Sequence, residues 1–342
     1  MNVIILAGGY AQRLWPLTQN YPKTLLGVAG SPVLLHVLHA VAPLAYKDSI
    51  TIAIDKEKQD AFVEQLNGVE ISPQPALSLH ASSNGVPVGP LAKIREILRE
   101  DQKRGLSQGE CVLIGGDNVF GFNINRFREA QHASGQICVA TQRVPQSTDS
   151  SHVGVPSLDS EGRFVGFAEK PSGVNFDLIS TACYIFPRAD LLRVDEYLRS
   201  GGEDSLGHFI EWCIEHTSGV RAFIFHEDWY DTGTRQGLLA ANAYLLKATL
   251  SQPAFSVGGL VKVKQPVYVG DRTRITNSVI GPNVTLASKV QIIDSVVENS
   301  IVYEGSRITN SKIINSIIGP DSRVEGELNG GLLGPSTALF VG

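Results

Sequence analysis

Single apolar residues recur at steps of five or six near the C-terminal end of the chain, and this repeat restricts the fold more than any other feature. The positions are Val269, Ile275, Ile280, Leu286, Ile292, Val297, Val302, Ile308, Ile313, Ile318 and Val324. Asn-Ser or Asp-Ser pairs run in register with them, at Asn277-Ser278, Asp294-Ser295, Asn299-Ser300, Asn310-Ser311 and Asn315-Ser316. A repeat of about six residues is typical of a hexapeptide β-helix, in which each side of a coil points one apolar residue inwards. We therefore predict a short left-handed β-helix in residues 251–342.

Two features of this prediction stay open on the sequence. A small sandwich with accidental periodicity is the alternative, and it is less favoured because two independent patterns share one register. The repeat supplies about three coils, which is near the minimum for a stacked core. An open end of so short a coil needs a cover, and the glycine-rich tail from Gly326 to Gly342 or a second subunit could provide it.

Residues 1–250 have a different texture, in which short apolar runs alternate with amphipathic helical segments. Val3–Leu6, Ser49–Ile54 and Cys111–Ile114 have the length and composition of buried strands, and residues 91–104 have helical spacing. Alternation of this kind predicts an α/β fold, with a Rossmann-like, mostly parallel sheet and helices on both faces. The predicted domains are thus 1–250 and 251–342.

Composition excludes several classes of protein. With 43% hydrophobic and 18% charged residues the 342-residue chain is ordinary for a globular protein, and its net charge of −5 does not favour nucleic acid as a partner. The four cysteines lie in apolar runs without a C-x-x-C pair, so we expect free core residues. The first apolar run, Val3–Ala7, is too short for a signal peptide or a membrane span, which predicts a cytoplasmic protein without a membrane partner.

A glycine-rich turn follows the first predicted strand. Backbone N–H groups converge in such a turn and bind phosphate oxygens, and Gly8 and Gly9 carry no side chain that would block their approach. Arg13 and Lys23 add two cations nearby, of which the arginine suits bidentate phosphate contact. An ordinary turn with two solvated cations is the alternative, and Gly-Gly alone would favour it. The G-x-G-x-x-G and G-x-x-x-x-G-K-[ST] patterns are absent.

The longer string LAGGYAQRLWPLT, followed by PKTLLGVAGSPVLLH, resembles the opening of the nucleoside-diphosphate-sugar pyrophosphorylases. These enzymes transfer a nucleoside monophosphate from a nucleoside triphosphate to a sugar-1-phosphate and release pyrophosphate. The resemblance implies the nucleotide-diphospho-sugar transferase fold and a nucleotide site formed by Leu6, Gly8, Gly9, Arg13 and Lys23. The chain departs from the family pattern at Ala11-Gln12, where many members have Gly-Thr.

Two further motifs carry the carboxylates that the resemblance assigns to a magnesium ion. Residues 113–120 read LIGGDNVF and residues 229–234 read WYDTGT, similar to the family's L-x-G-D-N-x-F and W-x-D-x-G-T. Asp117 is expected just past the carboxyl end of a buried strand, where open α/β sheets bind ligands. Together with Asp231 it would hold Mg²⁺, whose preferred ligands are oxygens.

The sugar-phosphate site is implied by Glu169-Lys170-Pro171 and by Gly154. Lys170 resembles the lysine that binds the sugar phosphate, Glu169 the residue that accepts bonds from sugar hydroxyls, and Gly154 a glycine whose backbone lies against the sugar. As a bare tripeptide, Glu-Lys-Pro is also a common surface turn. The catalytic residues that the resemblance implies are Arg13, Lys23, Asp117 and Lys170.

The base remains open on the sequence. Residues 82–92, SSNGVPVGPLA, correspond to the stretch that reads base and ribose; Ser82, Ser83 and Asn84 stand where many thymidylyl- and uridylyltransferases have a glutamine, and Gly89 is a candidate backbone contact. Thymidylyl transfer to glucose-1-phosphate is the first expectation, and guanylyl transfer to mannose-1-phosphate the second.

Two other functions compete with catalysis of this kind. A non-catalytic regulatory or scaffold relative would be expected to have lost the cations or the carboxylates, and this chain retains both. An acyltransferase in the β-helix would need a histidine, and none follows His226. We therefore interpret the β-helix as an oligomerisation or regulatory element and expect a homo-oligomer.

Overall fold

The computed structural model describes residues 1–9, 11–45, 48–82, 88–104, 109–145, 152–173, 176–248 and 256–341. Contacts between residues group the chain into two compact units: Met1–Gly9 with Val37–Trp229, and Tyr10–His36 with Tyr230–Gly342. The predicted domain boundary at residue 250 follows sequence texture and stays a prediction. Grouping by contacts differs from it, because an N-terminal segment belongs with the C-terminal unit.

The strands and helices up to residue 248 follow the predicted alternation. The helices are α1 (Val33–Val41), α2 (Gln59–Leu66), α3 (Pro90–Arg104), α4 (Ile124–Ser134), α5 (Arg188–Leu192), α6 (Val194–Arg199), α7 (Leu206–His216) and α8 (Arg235–Ala248). The strands are β1 (Asn2–Leu6), β2 (Gly27–Val28), β3 (Ser31–Pro32), β4 (Ser49–Ile54), β5 (Ala76–Ala81), β6 (Cys111–Gly115), β7 (Asn118–Phe120), β8 (Ile137–Arg143), β9 (Gly154–Leu158), β10 (Phe164–Glu169), β11 (Leu178–Phe186), β12 (Val220–Phe225) and β13 (Trp229–Asp231). None of the described helices is long and apolar enough to cross a membrane.

The first unit is built on one twisted sheet, in the order β10-β9-β11-β6-β1-β4-β5, with β8 beside β11 and β12 beside β8. Its centre is parallel, because β1 runs parallel to β4 and β6, and β4 parallel to β5. Each antiparallel strand pairing in it involves β9 or β11. The predicted α/β class with a mostly parallel sheet is thus confirmed. Leu6 pairs with both Ala53 and Gly115, so that the carboxyl ends of β1, β4 and β6 meet at one edge.

Apolar side chains of the helices fill the space against this sheet. Leu91, Ile94 and Ile97 of α3 and Phe209 of α7 pack in one core with strand residues such as Leu113. The four cysteines all fall within the described residues, where they are unpaired and buried. Burial raises the pKa of the Cys111 and Cys138 thiols to about 12, so both stay protonated at neutral pH.

The second unit contains a parallel β-helix, which confirms the prediction from the repeat. Its strands are β14 (Ser256–Gly258), β15 (Lys262–Val263), β16 (Val267–Val269), β17 (Arg274–Thr276), β18 (Val279–Ile280), β19 (Val284–Leu286), β20 (Gln291–Ile293), β21 (Val296–Glu298), β22 (Ile301–Val302), β23 (Arg307–Ile314), β24 (Ile317–Ile318), β25 (Arg323–Asn329), β26 (Leu332–Leu333) and β27 (Ala338–Phe340). The apolar positions of the repeat stack coil on coil: Ile275 pairs with Ile292, Ile292 with Ile308, and Ile308 with Val324.

The coil is longer than the repeat predicts. Residues 326–341 continue it, because Leu333 pairs with Ile318 and Leu339 with Val324, each in the column of inward apolar residues. The glycine-rich segment is therefore another turn of the β-helix, and not the cover that its composition suggests.

The Asn-Ser pattern has a simple structural reason. Asn277, Asn299 and Asn310 have φ of 46°, 44° and 49°, a left-handed conformation that asparagine tolerates and that turns each corner. The serine that follows is buried and accepts a hydrogen bond from the next coil: the Ser295 amide donates to Ser278 Oγ (3.1 Å), and the Ser311 amide to Ser295 Oγ (3.0 Å). Each hydroxyl thus satisfies a buried N–H that the corner leaves outside the strand ladder.

One face of the β-helix is buried on both sides in its middle coils, at β19, β22 and β24. This packed face consists of β16, β19, β22, β24 and β26. Thr285, Ile301 and Ile317 each precede an inward residue and therefore point outwards, yet they are only 3%, 0% and 0% exposed. Residues from within the same unit cover it, including α8 and the segment after residue 10. Burial of apolar surface stabilises the folded state by about 25 cal/mol per Å². The packing on the β-helix therefore helps to hold the segment after residue 10 in place.

Candidate active site

The glycine-rich turn lies at the carboxyl edge of the parallel strands, as expected. Leu6 ends β1, and its carbonyl accepts the Gly116 amide (2.9 Å), so the turn beside Asp117 lies next to it. Gly9 has φ of 109°, which favours glycine, and no described atom lies within 4 Å of the position that a Cβ would take there. The space beside Gly9 is thus open to a ligand.

Gly8 is packed from beneath by an ion pair that the sequence did not reveal. A Cβ at Gly8 would collide with Nζ of Lys93 and come within 2.9 Å of Asp55 Oδ1. Lys93 and Asp55 form a salt bridge with side chains only 5% and 18% exposed, and Asp55 Oδ2 accepts the Gly9 amide at 2.8 Å. The one signal in the sequence is a lysine set between the buried residues Leu91 and Ile94 of α3.

Asp117 follows β6 and is held by its neighbour. Asn118 Nδ2 donates to Asp117 Oδ1 (3.3 Å), while Asn118 Oδ1 accepts the Trp229 indole N–H (2.8 Å). Gly115 is required here, because a Cβ on it would lie 2.8 Å from Asp117 Oδ1 and overlap Asn118. The carboxylate is half-buried and oriented by an amide, as metal-binding carboxylates commonly are.

The predicted sugar-phosphate residues come together after β10. Lys170 Nζ lies 3.2 Å from Glu169 Oε1, with the lysine 58% exposed and the glutamate 18%. The Glu169 carboxylate lies over Gly207 in the first turn of α7, where a Cβ would overlap it, and the positive end of the helix favours an anion there. The Lys170 amide donates to Val153 O at 3.0 Å. Gly154 is packed against the Phe167 ring, which is a second reason for glycine at that position.

Gly89 lies at the start of α3, against a carboxylate from a distant segment. Asp204 Oδ1 accepts the amides of Leu91 (2.7 Å) and Ala92 (3.2 Å), and a Cβ on Gly89 would come within 2.6 Å of both of its oxygens. Of the other candidates in this stretch, Ser82 is buried, whereas Ser83 and Asn84 lie outside the described residues.

In the second unit the structure brings Arg13 and Asp231 together. Arg13 belongs to a short 3-10 helix (Gln12–Leu14), and its NH2 lies 3.6 Å from Asp231 Oδ2 at the end of β13. The Gly233 amide donates to Asp231 Oδ1 at 2.8 Å, which fixes the carboxylate. Lys23 begins another 3-10 helix (Lys23–Leu25) and is partly exposed.

Contacts with the β-helix hold the loop that carries these cations. Tyr303 donates from its hydroxyl to Gly27 O (3.1 Å), and the Tyr268 ring covers Gly30. Buried Asn242 of α8 accepts both the Ala29 amide (2.9 Å) and the Thr285 hydroxyl (2.6 Å). Pro16 packs so closely against Gly334 that a Cβ at position 334 would lie only 2.6 Å from the proline Cγ.

The carboxylates present fit a hard divalent cation in chemistry. Asp117 and Asp231 offer oxygen donors, each held by a neighbouring N–H group. Among the residues that the structure describes, no group of three or more His, Cys, Asp and Glu side chains could hold a metal. A metal bound at either carboxylate would therefore need further oxygen ligands from substrate and water.

A parallel sheet with a glycine-rich turn at its carboxyl edge is typical of α/β proteins that bind nucleotides. The sequence profile of the nucleotidyl transferase family matches residues 2–248, so the chain belongs to that family. By this membership the protein is a nucleotidyltransferase, and sugar nucleotidyltransferases of this family generally use a divalent metal ion.

Known proteins that resemble the chain have related names. It is 29% identical to a glucose-1-phosphate thymidylyltransferase of Streptomyces griseus, over 93% of this chain and 92% of the relative. It is 26% identical to a Sulfolobus acidocaldarius protein provisionally named mannose-1-phosphate guanyltransferase, over 80% of this chain and 72% of that one. A crystal structure of a Bacillus anthracis protein, provisionally named glucose-1-phosphate thymidylyltransferase and bound to sucrose, superposes with a TM-score of 0.61. It has 22% identity and covers 73% of this chain and 97% of that one, which supports the fold.

Proposed function

We propose that this enzyme transfers a nucleoside monophosphate to a sugar-1-phosphate, with glucose-1-phosphate and dTTP as its first substrates and mannose-1-phosphate and GTP as the second choice. The observation that carries the proposal is the contact of Arg13 with Asp231 at 3.6 Å, since it brings together the cation predicted to bind phosphate and the carboxylate predicted to bind metal, which come from distant motifs. The names of the relatives support the choice of substrates.

In the proposed reaction, a phosphate oxygen of the sugar-1-phosphate attacks the α-phosphorus of the triphosphate in line. The bond from the α-phosphorus to the bridging oxygen breaks, and pyrophosphate leaves with that oxygen. Such a reaction needs positioning and charge neutralisation rather than a covalent intermediate. Arg13 and Lys23 would bind the triphosphate and the leaving pyrophosphate, together with backbone groups of Leu6, Gly8 and Gly9. Because Asp55 accepts the Gly9 amide, Gly9 would contribute its open side rather than this N–H group.

The sugar-phosphate would be bound by the residues after β10. Lys170 is exposed, so its ammonium can reach a phosphate, and Glu169 beside it would accept hydrogen bonds from sugar hydroxyls. Gly154 would place backbone against the sugar, and Gly89 would contact the nucleotide. Lys170 also lowers the repulsion between the two anionic substrates, which would otherwise oppose their approach.

Asp117 and Asp231 would hold Mg²⁺. When bound, the ion would neutralise phosphate charge and polarise the reacting centre. Asn118 and the Gly233 amide would keep both carboxylates in place.

A substrate panel tests the proposal. The purified enzyme is incubated with magnesium, with dTTP, UTP, GTP, ATP or CTP, and with glucose-, mannose- or N-acetylglucosamine-1-phosphate, and pyrophosphate release is measured. We expect the highest kcat/KM with dTTP and glucose-1-phosphate. A preference for another pair would correct the substrates, and release with no pair would contradict the proposed reaction. Gel filtration of the whole chain and of one that ends at residue 250 tests the expected homo-oligomer: an unchanged oligomer would show that the β-helix does not form it.

A further inference from the structure

We propose that Asp55 and Lys93 are positioning residues of the nucleotide site: Asp55 holds the Gly9 amide, and Lys93 cancels the charge of Asp55 so that a triphosphate can approach. The inference rests on the proposed function, because it concerns the turn that would bind the nucleotide. Neither residue belongs to a motif that points to this role.

The first observation is the direction of the Asp55 side chain. Asp55 directly follows β4 and precedes the short 3-10 helix Lys56–Lys58, a place where aspartate normally caps its own helix. Its carboxylate turns instead to the glycine-rich turn and accepts the Gly9 amide at 2.8 Å. This bond fixes the residue whose open side would face the phosphates.

The second observation is the cost of placing Lys93 where it is. Its side chain is only 5% exposed, and burial of a charged group is unfavourable unless the group is paired. It also lies in the first turn of α3, where its own amide bonds to Gly89 O and where the helix dipole disfavours a cation. The salt bridge with Asp55 compensates for both, so the two residues act as one unit.

The third observation is the contact with the turn itself. Gly8 leaves just enough room for the pair, since a Cβ would overlap Lys93 Nζ and approach Asp55 Oδ2 to 3.1 Å. The pair therefore lies directly under the turn. An uncompensated carboxylate there would repel a triphosphate, and the Lys93 ammonium removes that repulsion.

Three variants separate positioning from mere stability. We expect Lys93→Met to raise the KM for dTTP about tenfold, as the loss of one charge-assisted interaction does. The KM for glucose-1-phosphate should stay within about threefold of the wild-type value. Asp55→Asn keeps an oxygen that can accept the Gly9 amide and removes only the negative charge of residue 55. In the double variant both charges are gone, so we expect the KM for dTTP to return to within about threefold of the wild type. The double variant also leaves no unpaired buried charge, and it remains measurable if Lys93→Met does not fold.

A matched control is another buried ion pair of α3. Asp101 and Arg188 lie 3.7 Å apart with side chains 12% and 6% exposed, away from the glycine-rich turn. Asp101→Asn should lower the melting temperature without a change in the KM for dTTP. An equal rise of this KM in Asp101→Asn, or no recovery in the double variant, would overturn the proposal.

Binding measurements keep this inference distinct from the reaction. If the wild type releases no pyrophosphate with any substrate pair, the proposed function fails. The shift of melting temperature on addition of dTTP and magnesium is then compared between the wild type and Lys93→Met. A shift in the wild type that is much smaller in Lys93→Met would support the positioning role. Equal shifts, or no shift in the wild type, would overturn it.

Discussion

The predicted phosphate-binding groups come from two regions that are stabilised in different ways. Gly8 and Gly9 end a central strand and rest on a buried ion pair, whereas Arg13 and Lys23 lie on a loop that packs against the β-helix. In sequence these four residues form one continuous motif. The comparison teaches that a continuous motif need not be one structural element, and that each part can be perturbed separately.

The largest expected effect tests whether both regions contribute to the chemistry. Asp117→Ala in the first unit and Asp231→Ala in the second should each lower kcat by at least about a hundredfold, because each would remove a metal ligand. Pyrophosphate release at increasing magnesium measures this. Asp177→Ala is the control, since Asp177 forms an exposed pair with Arg143 and should have no effect. Normal activity and magnesium dependence in either variant would refute its role as a ligand.

The next effect concerns a residue of the first unit, Lys170, and tests whether it binds only one of the two substrates. Lys170→Ala should raise the KM for the sugar-1-phosphate about tenfold or more, because a charge-assisted contact is lost, and leave the KM for the triphosphate unchanged. Initial rates with one substrate varied at a time measure both constants. Lys289→Ala in the β-helix removes an equally exposed lysine and is the control. A rise in both constants would show that Lys170 does not belong to the sugar-phosphate site alone.

A smaller effect is expected where the β-helix supports the Arg13 loop. Gly334→Ala would force Pro16 away and should destabilise by about 1–3 kcal/mol, the usual range for overpacking. It should also raise the KM for the triphosphate, since Pro16 closely follows Arg13. Gly166→Ala is the control, because its Cβ would meet Ser157 at an ordinary 3.7 Å. Urea unfolding and initial rates measure both effects, and equal results for the two variants would exclude this support.

The smallest effect concerns pH. Burial, with a contribution from Tyr21, raises the pKa of Tyr303 above its usual range. The native state therefore keeps this proton at a pH where the unfolded chain, with a tyrosine pKa of about 10, has lost it. Stability from Tyr303 is thus fully present below about pH 10 and falls as the pH rises above it. Tyr303→Phe should cost about 0.5–1.5 kcal/mol at pH 7, through the lost bond to Gly27, and flatten the alkaline decline. Urea unfolding between pH 7 and 11 checks this, and parallel curves for both proteins would contradict it.

Much of the fold could be predicted from short-range patterns. The spacing of Ile275, Ile292 and Ile308 reports the coil directly, because each residue stacks on the next at a nearly constant separation. The glycine-rich turn and Asp117 lie just after strand ends, as the sequence predicts, since a buried strand has a clear composition and a clear end. The roles assigned to the site residues stay predictions.

Contacts between distant segments could not be predicted in this way. Nothing local to Asp55 or Lys93 shows that they meet, because the parallel sheet determines their proximity. A signal did exist for the packed face: Ile301 and Ile317 each precede an inward residue, and such apolar doublets would be unfavourable on a solvated coil. The partner of that face, however, lies near the other end of the chain.

The packed face has a consequence for how this protein could recombine with its relatives. A crossover at residue 250 would join a foreign β-helix to this protein's own Arg13 loop. That loop is fitted to contacts that involve Tyr268, Thr285 and Tyr303, which the foreign β-helix would not supply. The contacts that hold this loop lie within one unit, Tyr10–His36 with Tyr230–Gly342, so we expect these two segments to be exchanged together. Exchange of whole coils distant from this face would disturb less, so natural variation in coil number is expected to spare the coils that hold the Arg13 loop.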